Sequence, residues 1–209
     1  VGTTREIVIP YLESSTNLIA GDDFFVNFAP ERTVEGNALN ELKELPQVVG
    51  GYSKKCITSG INFWSRLCSS VTVSDSLEAS ELVKLANNSF RDLSFAFSNE
   101  LALIADKYNV NSFTLIKSAN DGYPRNKIPL PSPGVGGYCL TKDPILYNYT
   151  TAGQRSNTTL NLLGRDINDK ASLYPYSIIK RFANKYDLQL SSLNVLIIGI
   201  AFKGKPETT

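Results

Sequence analysis

The chain has 209 residues, 42% hydrophobic and 20% charged, which is enough apolar material for a folded core and excludes an intrinsically disordered protein. A formal net charge of +1 argues against nucleic-acid or membrane binding through a basic surface. Because histidine is absent, an imidazole-based triad and a His-rich metal site are excluded, and acid–base chemistry must use Asp, Glu, Lys, Tyr or water.

The sequence contains no recognisable targeting or membrane-spanning segment. Residues 1–10 lack a basic start followed by a long apolar run, and no apolar run approaches the roughly 20 residues that span a bilayer. Cys56, Cys68 and Cys139 are odd in number and widely spaced, which favours a reducing, cytoplasmic setting over a disulfide framework. Since the chain does not begin with Met, we interpret it as an internal piece of a longer protein.

Residues 1–73 show the pattern of an α/β domain. Short apolar runs at 24–28 and 48–51 predict strands, and a helix is predicted near 61–68. Glu31 and Glu35 follow the strand predicted to end at Phe28, which is where open α/β sheets place their sites. Taken alone, this pair of glutamates more often marks a helix start.

Residues 74–190 are predicted to be mainly helical. Asp75 and Glu78 resemble a capping box, and no Gly or Pro occurs from Leu77 until Gly122. Near its end this long helix becomes apolar on nearly all sides, which predicts burial, with a second copy of the chain as a candidate partner. The apolar positions that recur at spacings of three and four are Leu82, Ala86, Phe90, Leu93, Phe97, Leu101 and Ile104. A second helical run contains Leu160, Leu163, Ile167, Ile178, Ile179 and Phe182.

Lys84 and Asn88 lie four residues apart and share one face of the long helix, away from its main apolar stripe. A lysine and an amide on one face can both donate hydrogen bonds to a developing oxyanion. The same spacing also describes an ordinary solvated helix face.

The stretch from Pro129 to Pro144 is the most informative motif. Its first nine residues contain three prolines and three glycines, so the loop is stiff yet allows close backbone approach. Pro144 suits the first position of a helix and Asp143 suits its N-cap. This predicts Cys139 one turn before a helix N-terminus and near Lys142, which favours the thiolate. The alternative is a buried structural cysteine, which is how we interpret Cys56 and Cys68.

Residues 193–200 predict a buried parallel strand that ends in glycine and opens a nucleotide-binding α/β domain. The Gly199–Lys205 spacing approaches that of a P-loop. Pro206 stands where that motif needs Ser or Thr for the metal ion, so a P-loop hydrolase is disfavoured and a strand-to-helix turn is the simpler interpretation.

Four segments, 30–36, 81–88, 134–143 and 199–204, together resemble the nucleotide-sugar 6-dehydrogenase family, which includes UDP-glucose, UDP-N-acetylmannosamine and GDP-mannose dehydrogenases. The resemblance implies an α/β protein with a mainly helical central domain. Residues 1–73 would be the C-terminal part of an N-terminal NAD-binding domain, 74–190 a central dimerisation domain, and 191–209 the start of a nucleotide-sugar-binding domain.

The resemblance also implies residue roles. Cys139 would be the nucleophile, Lys84 and Asn88 would stabilise the oxyanion, Asp143 would hold water, and Glu35, supported by Glu31, would activate water. Contacts to the substrate would come from Arg125, Leu130, Ser132, Gly134, Gly136 and Lys203. Glu35 and Lys142 would contact NAD, although the main NAD-binding domain is expected to be absent because the glycine-rich fingerprint is missing. No metal is implied.

The resemblance implies a homodimer formed through the 76–105 helix, with a UDP-sugar as substrate and neither nucleic acid nor membrane as a partner. The short, proline-rich 129–133 loop is closer to the UDP-N-acetylhexosamine branch, and Arg32 after Glu31 stands where the UDP-glucose branch more often has an aromatic residue. Tyr138 departs from the first branch, which often has His at that position. The alternative is a non-catalytic dimerisation and sugar-nucleotide-binding module. Selective alkylation of Cys139 over Cys56 would favour the enzyme, and this chain alone is expected to be inactive.

Overall fold

The computed structural model describes residues 1–150 and 159–198. They form two compact units, one comprising Val1–Asn87 and the other beginning at Asn88, and the division falls within one long helix. The predicted α/β class is confirmed, with helices predominating over a small sheet. The domain boundaries at 73/74 and 190/191 stay a prediction.

The first unit contains the sheet. Its elements are a π-helical stretch Thr4–Val8 that continues into α1 (Ile9–Thr16), then β1 (Asn27–Phe28), α2 (Ala38–Glu44), β2 (Gln47–Gly51), α3 (Lys54–Trp64), β3 (Val71–Val73) and the start of α4 (Leu77–Lys107).

Strand β2 is the centre of a three-stranded sheet of order β1-β2-β3 and is buried along its whole length. It pairs antiparallel with β1, with Phe28 opposite Gly50, and parallel with β3, with Val48 opposite Thr72. Both strand predictions in this region are therefore confirmed. The helix predicted at 61–68 begins earlier, at Lys54, because the Ser53 hydroxyl caps it by accepting a hydrogen bond from the Cys56 amide at 3.3 Å.

Gly50 allows α4 to begin against the sheet. A Cβ atom at this position would lie 2.1 Å from the Ser76 carbonyl oxygen and 2.4 Å from the Ser80 hydroxyl oxygen. Ser76 is also the N-cap of α4, because its hydroxyl accepts a hydrogen bond from the Ala79 amide at 3.1 Å. The predicted cap at Asp75 is therefore wrong, and Glu78 pairs with Arg5 instead of closing a capping box.

The second unit is helical in its described part. It contains the rest of α4, then α5 (Ser112–Asn120), α6 (Tyr138–Tyr149), α7 (Leu160–Ala171), α8 (Tyr174–Lys185) and a 3-10 turn Leu190–Ser192. The long helix predicted from Leu77 is confirmed and ends at Lys107.

Helix α7 buries a different face from the one that its apolar residues predict. Leu160 and Leu163 are exposed. The buried side chains are instead polar or small and recur at spacings of three and four: Asn161, Gly164, Arg165 and Asn168. Arg165 and Asn168 can be buried on this face because they form hydrogen bonds with α4 and with the loop before α6.

The strand predicted at 193–200 is not formed in the described part of that segment. Residues 193–198 have no regular secondary structure, and Leu196, Ile197 and Ile198 are largely exposed. A β-strand needs a neighbouring strand for its backbone hydrogen bonds, and among the described residues no strand pairs with this segment. Gly199, Ile200 and the P-loop-like turn lie outside the described residues. Among the helices that are described, none has both the length and the apolar character required to cross a membrane.

Candidate active site

Cys139 lies in the first turn of α6, at its second residue. The helix begins at Tyr138 because Gly137 supplies the N-cap with a φ of 85°, a conformation that other residues adopt at a cost. The predicted N-cap at Asp143 and helix start at Pro144 are therefore wrong, since both residues lie inside the helix. The thiol is exposed, so the alternative of a buried structural cysteine is also wrong.

The other two cysteines are buried, as expected for structural residues. The Cys56 sulfur accepts hydrogen bonds from the Val26 amide and the Ser53 hydroxyl, both at 3.3 Å. Burial raises the pKa of the Cys68 thiol. Cys139 is thus the one cysteine that solvent or a ligand can reach directly.

Asp143 is the centre of a polar group in the turn after Cys139. Its side chain is only 1% exposed, and its Oδ2 accepts a hydrogen bond from Asn88 Nδ2 at 2.6 Å. Its Oδ1 forms an ion pair with the ammonium of Lys142. Because Cys139 and Asp143 are four residues apart on α6, their side chains project from the same face. Lys142 and Asp143 therefore lie about one helical turn from Cys139 along α6, and Asn88 contacts Asp143.

The first unit brings Lys84 and Glu31 together. Lys84 Nζ lies 3.3 Å from Glu31 Oε2, and the Lys84 side chain is 30% exposed, so it does not sit on a simple solvated face. Burial opposes ionisation of Glu31, but hydrogen bonds from the Thr33 hydroxyl and amide and the charge of Lys84 outweigh it. The pKa of Glu31 therefore lies below its ordinary value.

Two further candidate residues are exposed and adjacent to loops. Glu35 lies between β1 and α2, in an irregular segment rather than at a helix start. Arg125 stacks on Tyr123, with its guanidinium carbon 5.3 Å from the ring centre, and its Nη1 donates a hydrogen bond to the Tyr123 hydroxyl at 3.2 Å. Lys203 lies outside the described residues.

Hydrogen bonds hold the first part of the loop that leads to Cys139. The Ser132 amide donates to Asn99 Oδ1 at 2.8 Å, and the Ser132 hydroxyl donates to the Gly134 carbonyl at 2.7 Å. A Cβ atom on Gly134 would meet nothing within 4 Å, so there is open space in front of the backbone here. Gly136 is half-buried, and Leu130 is exposed beside a cavity of about 700 Å³ next to α5.

Sequence reasoning missed four buried polar residues that support this loop: Asp92, Asn99, Arg165 and Asn168. Arg165 Nη2 donates to the Val135 carbonyl at 2.9 Å, and Asn99 Nδ2 donates to Asn168 Oδ1 at 2.9 Å. The usable signal was the spacing of polar residues on α7, at 161, 165 and 168, which marks one helix face.

Residues 78–170 match the central domain of the UDP-glucose/GDP-mannose dehydrogenase family. A UDP-N-acetyl-D-mannosamine dehydrogenase from Pyrococcus horikoshii is 33% identical over 208 residues, covering 100% of this chain and 49% of that protein. An NDP-N-acetyl-D-galactosaminuronic acid dehydrogenase from Ralstonia nicotianae is 31% identical over 181 residues, covering 87% of this chain and 41% of that protein.

The fold is similar to that of a solved UDP-D-ManNAc dehydrogenase from Pyrococcus horikoshii. The TM-score is 0.79 at 32% identity, and the match covers 88% of this chain and 43% of the solved one. The chain thus spans about half the length of the curated relatives that it matches.

Proposed function

Because the chain belongs to the UDP-glucose/GDP-mannose dehydrogenase family, we propose that its protein oxidises the C6 hydroxyl of a UDP-sugar to a carboxylate with NAD as the oxidant. The observation that carries this proposal is an exposed thiol, Cys139, in the first turn of α6, with Asn88 and Asp143 hydrogen-bonded one turn later. The domain assignment 1–73, 74–190 and 191–209 belongs to the same proposal.

Cys139 acts in the second of two oxidations. Its sulfur adds to the C6 aldehyde, forming a C–S bond and a thiohemiacetal oxygen that takes up a proton. Loss of hydride from C6 and of that proton gives a thioester. Water then adds to the thioester carbon, the C–S bond breaks, and the carboxylate and the thiol are released. An exposed thiol is required because both the sugar and water must reach it.

Lys84, Asn88 and Asp143 support the charged states of these steps. Lys84 and Asn88 donate hydrogen bonds to the oxygen that becomes negative as sulfur or water adds to C6. Asp143 accepts from Asn88 and so orients its amide, and it also holds water near the thioester. Glu35, supported by Glu31, takes a proton from the attacking water. The ion pair between Glu31 and Lys84 holds the lysine side chain in place.

NAD, when bound, accepts the hydride in each oxidation. Glu35 and Lys142 are the candidate contacts in this chain, and both are exposed, which fits a cofactor held mainly by residues elsewhere in the protein. The sequence also lacks the Gly-x-Gly-x-x-Gly fingerprint of NAD-binding domains.

The substrate is proposed to be a UDP-N-acetylhexosamine. Support comes from the names of the relatives, which include UDP-N-acetyl-D-mannosamine and NDP-N-acetyl-D-galactosaminuronic acid dehydrogenases. Leu130, Ser132, Gly134 and Gly136 would line the sugar nucleotide. Arg125 would reach the substrate in a partner subunit, and Lys203 would bind the phosphates of the substrate.

The protein is further proposed to be a homodimer formed through the 76–105 part of α4. Support comes from Phe90, Phe97 and Ile104, which follow one another at seven-residue intervals and are 74%, 54% and 50% exposed. Large apolar side chains in a row along a helix usually face a partner. A cytoplasmic location stays a prediction from the free cysteines.

Replacing Cys139 tests the proposed function. In the intact protein, Cys139→Ser is expected to abolish carboxylate release from UDP-N-acetylmannosamine, because the thioester cannot form. Cys68→Ser, at a buried position, is the matched control and should keep the activity. Product analysis by mass spectrometry, with UDP-glucose and UDP-N-acetylglucosamine tested in parallel, provides the measurement. Carboxylate formation by Cys139→Ser at the parent rate would contradict the proposal.

A further inference from the structure

The Arg165 guanidinium is saturated with hydrogen bonds. Nη1 donates to Asp92 Oδ1 at 2.5 Å and to the Leu140 carbonyl at 3.1 Å. Nη2 donates to the Val135 carbonyl at 2.9 Å and to Asp169 Oδ1 at 3.0 Å, and Nε donates to the same oxygen at 3.2 Å. A guanidinium has five N–H donors, and here each has an acceptor.

Two of these acceptors bracket the thiol. The Val135 carbonyl lies just before the Gly136–Gly137 pair, and the Leu140 carbonyl follows Cys139 directly. One rigid, planar group therefore holds both ends of the segment 136–139 at once. A Lys ammonium carries all its donors on one nitrogen at the end of a flexible stem, so it lacks the two fixed donor nitrogens that Arg165 uses here.

The contact with Leu140 also replaces a missing helical hydrogen bond. In an α-helix the Leu140 carbonyl accepts from the amide of residue 144, but residue 144 is Pro and has no N–H. Pro144 is buried inside α6, so water cannot easily take the place of that donor. Arg165 Nη1 supplies it, which allows the helix to begin before the proline, with Cys139 in its first turn.

The charge of Arg165 is compensated where it is buried. Its side chain is 8% exposed, and Asp92, which is fully buried on α4, is its main partner. Asn168 Nδ2 donates to the same Asp92 Oδ1 at 2.8 Å and to the Asp92 carbonyl at 2.9 Å. Asp92 on α4 and Asn168 on α7 thus hold the guanidinium in the position from which it contacts the loop.

We propose that Arg165 is a positioning residue for Cys139. The Arg165 guanidinium fixes the 136–139 segment and supplies the Leu140 carbonyl with the hydrogen bond that Pro144 cannot donate. The effect on turnover rests on the proposed function, whereas the effect on the segment does not.

The test compares Arg165→Lys with Arg181→Lys in the intact protein. Arg181 lies on α8 and pairs with Asp106 at 2.6 Å. Its replacement by Lys therefore makes the same change in an arginine–carboxylate pair that lies away from the loop. Hydrogen exchange of the 136–140 amides should accelerate in Arg165→Lys and not in Arg181→Lys. Carboxylate formation should fall about a hundredfold while the first oxidation persists, so that aldehyde can be trapped as a hydrazone.

Restoring the missing donor provides the second arm. In the Arg165→Lys background, Pro144→Ala returns an N–H to the Leu140 carbonyl and should slow the 136–140 exchange again. If Arg165→Lys does not fold, Asp169→Asn, at an exposed acceptor of the same guanidinium, should accelerate the same amides to a smaller extent.

Unchanged exchange at 136–140 in a folded Arg165 variant would overturn the proposal. So would faster exchange with undiminished carboxylate formation, because the segment would then be held without consequence for the thiol. If Cys139→Ser itself retains activity, the proposed function fails, and the exchange measurements still decide whether Arg165 fixes the segment.

Discussion

Glu78 is the side chain whose protonation the fold shifts most clearly. The hydrogen bond from Arg5 Nε at 2.6 Å, together with one from its own backbone amide, lowers the pKa of its carboxyl to about 2. A carboxylate with a lowered pKa in the folded state stabilises the protein above its ordinary pKa. That stability is lost as the pH falls from about 4.5 to about 2.

Replacing Glu78 with Gln should therefore weaken the acid dependence of unfolding. The loss at neutral pH should stay below about 1 kcal/mol, because both partners of the ion pair are partly exposed. The two proteins should converge in stability as the pH approaches about 2. Urea unfolding across this pH range provides the measurement, with Glu100→Gln on the same helix as a control. A constant difference at every pH would contradict the assignment.

At the residue scale, the sequence indicated the candidate residues around the thiol but not the buried residues that hold them in position. Cys139, Asn88 and Asp143 stand in short motifs whose chemistry is visible from residue types alone. Arg165 is not in such a motif, because its contacts with Asp92 and Val135 join residues far apart in the chain. Its importance depends on the Leu140 carbonyl, which Pro144 leaves without a hydrogen-bond donor. Only the folded structure shows that Arg165 reaches this carbonyl.

At the element scale, the approach of α4 to β2 depends on Gly50. Gly50→Ala should destabilise the first unit by about 1–3 kcal/mol, because the added Cβ would collide with the Ser76 carbonyl, which is backbone and cannot rotate away. Gly134→Ala is the matched control, since open space surrounds that position. Chemical denaturation followed by circular dichroism measures both. Equal stability of the two variants would show that β2 and α4 separate easily.

The elements that the sequence predicted well are those with a strong hydrophobic pattern. Helix α4 follows its apolar spacing, and β2 follows its short apolar run. The prediction for α6 was wrong because Pro144 normally marks a helix start, whereas a glycine N-cap and a distant guanidinium permit an earlier one. The second helical run is confirmed, as the two helices α7 and α8. Its residue types did not indicate that the buried face of α7 is mainly polar.

At the scale of the whole molecule, the exposed apolar row on α4 predicts self-association. Phe90→Glu combined with Phe97→Glu should convert the proposed dimer to a monomer, because two charges would be desolvated at its centre. Phe63→Glu, at a similarly exposed phenylalanine on α3, is the matched control and should leave the mass unchanged. Sedimentation velocity of the intact protein provides the measurement. A dimer that survives the double substitution would place the interface elsewhere.

The seven-residue interval of Phe90, Phe97 and Ile104 also restricts the geometry of any such pair. A straight α-helix has 3.6 residues per turn, so a row repeating every seven residues drifts around its axis by about 20° per repeat. Two copies meeting along this row must therefore coil about each other in a left-handed sense to stay in register. The seven-residue spacing of these three side chains on α4 therefore predicts the handedness of the supercoil.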